Sequence, residues 1–401
     1  MRTSQAVSAA ILILTGAACA PLTGIVGEKP ADELALSRVD FARLEDWAKA
    51  DTKGAFGALL GSCKKLVQRK DSDGFGGGAA YGTVGEWRAA CMAALHTNRL
   101  TPEAARRYFE TWFEPALASN RGEEVGLFTG YYEPELNGSR AAGGEFRTPL
   151  HTRPGDLVAV DLAQFRPSLK GERIAGRVDN GRLVPYATRG QIMGGALGGR
   201  SNVIAFVDDA TDAFFLQIQG SGRVRFANGE VIRVAYDGQN GHPYTGVGRV
   251  LVDRGEIKRE DMSMQSIRAW LAANPGKAQA LMNENASYVF FKEQPIADPA
   301  LGAEGAQSVP LTSEASLAVD LRFHGLGAPM WVDATAPAES GGNVAFRRLL
   351  IAQDTGGAIR GPVRGDVYWG AGSRAAEIAG RMAHRGRLYV LLPKPVAARL
   401  N

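Results

Sequence analysis

Gln353-Asp354-Thr355-Gly356-Gly357-Ala358-Ile359-Arg360-Gly361-Pro362-Val363-Arg364-Gly365-Asp366-Val367-Tyr368-Trp369 is the stretch around which the chain is organised. Its carboxylates Asp354 and Asp366 stand twelve residues apart with four glycines between them. The apolar run Leu349-Leu350-Ile351-Ala352 reads as a buried strand ending at a carboxylate, and a second strand start carries Asp366. Glycine is dense where a backbone turns tightly or approaches a ligand, so two acids shown from strand ends on such a loop suggest a site. The competing interpretation is a turn-capping Asp354 and a solvated Asp366.

The chain has 401 residues, 45% of them hydrophobic, and a mean hydropathy of −0.14, enough for two cores in a soluble globular protein. Fifty glycines and nineteen prolines with scattered helical periodicity favour a strand-rich, turn-rich architecture. Forty-six basic against 42 acidic residues give a net charge of +4 without a basic run. That balance suits an anionic polymer and does not call for nucleic acid. The five histidines are far apart and none stands at ligand spacing from a cysteine or another histidine, so no metal is expected.

Residues 1–20 read as an export signal: Arg2, then the apolar stretch from Ala6 to Leu14, then Thr15-Gly16-Ala17-Ala18-Cys19-Ala20. Cys19 resembles the lipidated cysteine of bacterial lipoproteins. Cleavage after Ala20 is the other route, and it would leave Pro21 first. Residues 21–40 form a tether. In an oxidising compartment the remaining cysteines, Cys63 and Cys91, pair most simply as a disulfide contributing about 3 kcal/mol, the other option being two buried thiols.

Phe41, Leu44 and Trp47 have helical spacing. Val84 to Leu95 and the segment opened by Thr101-Pro102-Glu103 are stronger helices, the second presenting Tyr108, Phe109, Trp112 and Phe113 to a core. From 138 to about 250 the pattern is β, with strands at Asn202 to Val207, Ala213 to Gln219 and Arg223 to Tyr236, the last folded back at Asn228-Gly229. Helices return at Met264 to Asn274 and Lys277 to Asn283. A strand follows at Tyr288 to Lys292, then a helix from Ser373 to His384 and a last strand from Arg387 to Leu392.

No phosphate-binding loop, dinucleotide fingerprint or nucleophile elbow is present, which leaves carboxylates as the chemical actors. Gly130-Tyr131-Tyr132-Glu133-Pro134, Gln217-Ile218-Gln219-Gly220-Ser221-Gly222, Tyr236-Asp237-Gly238-Gln239-Asn240-Gly241-His242-Pro243-Tyr244, Asn285 to Phe291, and Asp354 to Gly361 lie in that order. Together they resemble the membrane-bound lytic murein transglycosylase A family. Asp320, Asp354 and Asp366 resemble the acids of its three-aspartate C-terminal domain. Arg360 departs from the pattern, since lysine is common there.

The resemblance implies a mainly β fold with peripheral helices. A double-psi β-barrel would be built from 41–137 and 285–401, a second barrel-like domain from 138–284 would be inserted in it, and a groove would lie between them. It implies cleavage of the β-1,4 bond between N-acetylmuramic acid and N-acetylglucosamine, leaving a 1,6-anhydromuramoyl end. Asp366 is the implied catalytic acid and Asp354 the second acid. The groove candidates are Thr129, Tyr131, Tyr132, Gln219, Gly220, Ser221, Gln239, Asp320, Gly356 and Trp369. No cofactor is implied. The implied partners are glycan strands of peptidoglycan, a membrane reached through a lipid anchor, and other cell-wall enzymes; the implied place is the periplasm at the outer membrane. The chemistry is self-consistent, because a nucleophile tethered on the reacting sugar leaves the protein only one proton to shuttle. The rival function is a glycan-binding or scaffolding lipoprotein without turnover.

Overall fold

The computed structural model describes residues 31–97, 100–169, 172–296, 298–339 and 341–400; Cys19 and the export signal lie outside them. Asp32–Asn401 forms one compact unit. Among the described residues no helix is long and apolar enough to cross a membrane.

The chain opens with β1 (Leu34–Arg38), α1 (Lys53–Leu66), α2 (Val84–Leu95) and α3 (Pro102–Trp112). β2 (Phe113–Asn120) and β3 (Gly126–Glu133) follow, and the chain then leaves for β4 (Glu135–Ser139), β5 (Thr148–His151), β6 (Val158–Asp161), β7 (Arg173–Asp179) and β8 (Arg182–Pro185). Next come α4 (Arg189–Met193), β9 (Val203–Val207), α5 (Ala210–Gln219), β10 (Ser221–Phe226), β11 (Val231–Gln239), α6 (Val247–Asp253), α7 (Met264–Ala273), α8 (Pro275–Asn283) and β12 (Val289–Gln294). The return is β13 (Leu301–Glu304), β14 (Pro310–Thr312), β15 (Ser316–Val319), β16 (Pro329–Pro337), β17 (Asn343–Asp354), β18 (Arg364–Ala371), α9 (Ser373–Arg381), β19 (Ala383–Pro393) and α10 (Lys394–Ala397).

Six strands close on themselves in the order β19-β16-β17-β15-β18-β3, because β3 pairs with both β18 and β19. Two of the pairs, β15 with β17 and β18 with β3, are parallel, and the rest are antiparallel. This is the double-psi barrel, with β1 and β2 extending it beyond β19. The second sheet runs β12-β11-β10-β4-β9-β5, and a single parallel bridge from Thr152 to Phe291 draws its two edges together. Its strands run from Glu135 to Gln294 and so bracket the 138–284 stretch.

The first core is aromatic, with Trp87, Phe109, Phe113, Phe128 and Trp331 fully enclosed. Cys63 on α1 and Cys91 on α2 are joined by a disulfide inside it. α3 begins where expected, the Thr101 hydroxyl accepting from the Ala104 N–H. α1 carries no strong helical signal, since Gly54, Gly57 and Gly61 each weaken helix propensity. Two of those glycines face the barrel, where a Cβ at either would touch Ala315 or Val309. Ala213 to Gln219 is helix α5 and not a strand. Asp209 caps it by accepting from Thr211 and Asp212, Gly220 ends it at φ 83°, and Leu216 enters the second sheet's core. α4 and α6 likewise interrupt the β reading between 138 and 250. α9 stops at Arg381 because β19 starts at Ala383, well before Arg387.

The chain passes between the two sheets twice, and one carboxylate holds both passages. Glu133 ends β3 with a side chain 0% exposed, and takes a hydrogen bond of 2.9 Å from Arg223 Nε and further bonds from Arg233. The same guanidiniums donate to the carbonyls of Pro299 (2.9 Å) and Leu301 (2.6 Å) on the returning strand. Breaking such a set from one side leaves the buried Arg233 and the half-buried Arg223 uncompensated. Glu133→Gln should therefore cost about 3–5 kcal/mol in urea unfolding, and a loss under about 1 kcal/mol would show that the crossover does not depend on this charge.

Candidate active site

The two acids are brought together by strand register. Ala318 on β15 pairs with Asp354 on β17 on one side and with Asp366 on β18 on the other, while Asp366 pairs with Thr129 on β3. Asp354, Ala318, Asp366 and Thr129 thus form one transverse row over four neighbouring strands. The acids' backbones are two strand spacings apart, roughly 10 Å. Alanine between them leaves room for the Tyr131 side chain, whose hydroxyl reaches from β3 across the row to Asp354.

A bulge sets this register. The pairing of β15 with β17 slips between Leu317 and Ala318, so Ala352 pairs with Leu317 and Gln353 is left over. Gln353 is fully buried, with its carboxamide bonded to Ser316, Ser62 and the Ala58 carbonyl. The extra residue turns Asp354 to the face that carries Asp366.

The two carboxylates have different surroundings. Asp354 has both oxygens occupied, Oδ1 by the Ala306 N–H and Oδ2 by the Tyr131 hydroxyl, each at 2.9 Å. Burial pushes its pKa up; the N–H groups of Thr355 and Ala306 and the Tyr131 hydroxyl oppose this, and the charge of Asp366 adds to it. Asp366 Oδ1 accepts from Thr129 Oγ1 at 2.6 Å, and Oδ2 has no partner among the described residues. Burial raises its pKa too, against the Arg364 charge and the Thr129 hydroxyl. Arg364 Nη2 donates to Thr129 Oγ1 at 2.8 Å, so the hydroxyl proton is committed to Asp366. Sequence reasoning missed Arg364. Its separation of two from Asp366 on one strand was the available signal.

Strand alternation decides which candidates face this site. Thr129 and Tyr131 share a face of β3, and Asp366 and Tyr368 share a face of β18, with the Tyr131 and Tyr368 rings 5.2 Å apart. Tyr132 and Trp369 point the other way and are each only 5% exposed. Trp369 packs on Phe346, its indole N–H directed at Met382 Sδ, and a Cβ on Gly130 would collide with it. Both are core residues, which corrects their reading as groove contacts. Asp320 is also buried. Burial pushes its pKa up, but bonds from Arg322 and the Gly361 N–H outweigh this and lower it. It anchors the loop between the acids instead of lining a groove.

The second sheet's candidates flank the junction. Gln219 Oε1 accepts the Tyr132 N–H at 3.0 Å, Gly220 ends α5, Ser221 opens β10, and Gln239 is exposed near Ser287. Gly356 lies in the loop just after Asp354. Tyr244, in the loop after β11, is close enough to Asp366 for that charge to add to the burial that raises its pKa. No group of three His, Cys, Asp or Glu among the described residues is placed to hold a metal.

Known proteins resemble this chain in sequence and in fold. Residues 127–292 match the model described as "MltA specific insert domain" and 315–392 match "3D domain". Membrane-bound lytic murein transglycosylase A of Escherichia coli K12 is 35% identical over 274 residues, 67% of this chain and 66% of that protein, just under two thirds of its length. A crystal structure of membrane-bound lytic murein transglycosylase from Agrobacterium tumefaciens is 33% identical with a TM-score of 0.80, over 92% of this chain and 100% of that one. The structure of E. coli MltA with bound chitohexaose is 26% identical with a TM-score of 0.59, over 92% and 93%. These likenesses place the chain among the two-barrel lytic transglycosylases. It belongs to the membrane-bound lytic murein transglycosylase A family.

The loop carrying Asp366 is held from below by His324. The fully buried imidazole sits between the Tyr81 hydroxyl at Nδ1 and the Pro362 carbonyl at Nε2, both at 2.6 Å. Because Pro362 O can only accept, Nε2 carries the proton and Nδ1 receives the Tyr81 hydroxyl. Burial pushes the pKa down to about 4. In the unfolded chain histidine titrates near 6.5, so between those values the unfolded state binds the extra proton. The stabilisation is complete above pH ~6.5 and should fall by about 3 kcal/mol as pH drops to ~4. His324→Gln should flatten that part of the urea midpoint against pH curve, and an unchanged slope would remove His324 as its source.

Proposed function

We propose that this protein cleaves the β-1,4 bond between N-acetylmuramic acid and N-acetylglucosamine in peptidoglycan without water, leaving a 1,6-anhydromuramoyl end, with Asp366 as acid and base. The observation that carries this reading is the difference between the carboxylates. Thr129 donates to Asp366 Oδ1, so a proton on Asp366 resides on the open Oδ2, where it meets a leaving oxygen. Burial keeps that proton on longer than in an ordinary aspartate. As the glycosidic bond breaks, Oδ2 gives its proton to the departing oxygen. It then accepts the proton of the muramic acid C6 hydroxyl as that oxygen closes on C1. The acid returns to its starting state, and no water is consumed.

Asp354 is a poor nucleophile here. Both its oxygens are engaged, Oδ1 by the Ala306 N–H and Oδ2 by the Tyr131 hydroxyl, whereas a retaining glycosidase needs its second carboxylate free to attack. A nucleophile already on the ring replaces it. Asp354 instead orients Tyr131 and supplies negative charge beside Asp366. Thr129, Tyr131, Gln219, Ser221, Gln239 and Gly356 are proposed to line the groove between barrel one (41–137 with 285–401) and the inserted domain (138–284). The chitohexaose bound by the E. coli relative supports a glycan as the ligand of this chain. The place is proposed as the periplasm, with Cys19 lipidated at the outer membrane.

Asp366→Asn should lower the release of anhydro-muropeptides, followed by mass spectrometry, by roughly 10²- to 10⁴-fold while glycan binding persists. Asp354→Asn should keep part of the activity. Wild-type kcat/KM should fall as pH rises through the elevated Asp366 pKa, since only the protonated carboxyl can donate. Near-normal turnover by Asp366→Asn with none by Asp354→Asn would reverse the roles, and reducing muramic acid ends would mean hydrolysis.

Cys19→Ser should move the protein from the membrane to the soluble fraction with its murein activity intact. Its persistence in the membrane pellet would mean a different anchor.

A further inference from the structure

A cavity of about 340 Å³ opens behind the catalytic loop, between α1, the glycine turn at 74–78 and the segment after Asp320. Leu66, Phe75, Leu321 and Leu326 give it apolar walls. Lys65 and Arg69 stand on it, and none of its lining residues is acidic. Lys65 forms no ion pair among the described residues; the Arg69 guanidinium donates to the Phe75 and Gly74 carbonyls, lies 3.9 Å from Asp73, and keeps further N–H groups and its charge toward the cavity. Gln307 adds a donor. Its Oε1 is taken by Ser62 at 2.6 Å, and its Nε2 hydrogens have no acceptor among the described residues. Gly77, at φ 73°, lets the turn close on the opposite wall, since a Cβ there would fall 2.7 Å from the Gly325 nitrogen.

The cavity is wired to the reacting end of the fold. Ala306 donates to Asp354, and the next residue, Gln307, lines the cavity, about 3.8 Å further along the chain. His324, another lining residue, holds the Pro362 carbonyl of the catalytic loop. A ligand of small apolar groups and free carboxylates would suit these walls and charges.

We propose that this cavity receives the acidic peptide stem carried by the muramic acid next to the scissile bond, a reading that rests on the function proposed above. Each muramic acid bears a short peptide with alanine methyls and free carboxylates. The methyls meet the leucine walls; the carboxylates meet Lys65, Arg69 and the Gln307 amide. The site then makes the protein prefer peptide-bearing over peptide-free strands, because only the former gain these contacts.

The experiment compares murein strands with intact peptides against the same strands stripped by an amidase, for the wild-type protein, Lys65→Glu and Leu321→Asp. Both replaced residues are exposed, so the fold should persist. The wild type should cleave peptide-bearing strands more efficiently. Each variant should lose about tenfold in kcat/KM on those strands, the worth of one charge-assisted contact, and less than about twofold on stripped ones. Equal losses on both substrates, or none on either, would overturn the stem site and leave the catalytic reading standing. A wild-type protein that cleaves neither substrate would overturn both.

Discussion

The placement of one barrel against the other depends on a carboxylate with no exposure at all. A buried glutamate is costly unless paired, and Glu133 is paired on both sides by arginines that also hold the returning strand through the Pro299 and Leu301 carbonyls. Outgoing and incoming chain are therefore fixed at one point. Two residues before Glu133 on the same strand comes Tyr131, whose hydroxyl reaches Asp354, and two before that comes Thr129, which reaches Asp366. The crossover ion set is thus the far end of the strand that supports both acids, and it joins domain geometry to the geometry of the acid pair through five residues of β3, Thr129 to Glu133.

Within the first barrel the decisive feature is a surplus residue. With regular pairing, Gln353 would stand opposite Ala318 and Asp354 would turn to the other face. The bulge costs a ladder position, and the fully buried Gln353 offsets that by tying α1 to β15 through Ser62, the Ala58 carbonyl and Ser316. The helical layer thereby reads out on the acid pair. The disulfide between Cys63 and Cys91, one residue from Ser62, fastens that layer in turn.

Much of this was legible in the chain and some was not, for physical reasons. The acid pair announced itself because carboxylates at strand ends among glycines have few structural uses. The Asn228-Gly229 hairpin and the Thr101 cap were readable because local hydrogen bonds decide them. Helix α5 was misread because Ala213 to Gln217 are all buried, and an apolar run buried on every side has no period. Asp209 before it and Gly220 after it held the missing information. Trp369 and Tyr132 were misplaced by the family resemblance together with the suitability of aromatic rings for sugars, although counting by twos from Asp366 and Tyr131 assigns them to the core. The bulge, the closure of β3 onto β19 and the Ala318 row depend on long-range register, which composition and spacing do not encode.

The economy of the proposed chemistry follows from this architecture. A glycosidase with two working carboxylates needs both free to act, one as acid and one as nucleophile or base. Here the fold commits both oxygens of Asp354 and one of Asp366 to hydrogen bonds, leaving Asp366 Oδ2 open. One open oxygen can exchange one proton, first outward and then inward, but cannot also attack carbon. The remaining requirement, a nucleophile at C1, then falls to the substrate, whose own hydroxyl is held at high effective concentration by its ring. Arg364 acts in opposition: through Thr129 it fixes the geometry of Asp366 while its charge favours the ionised acid, against the burial that favours the protonated one. A carboxyl that must donate and accept in one turnover is served by such a balance, since either influence alone would strand it in one protonation state.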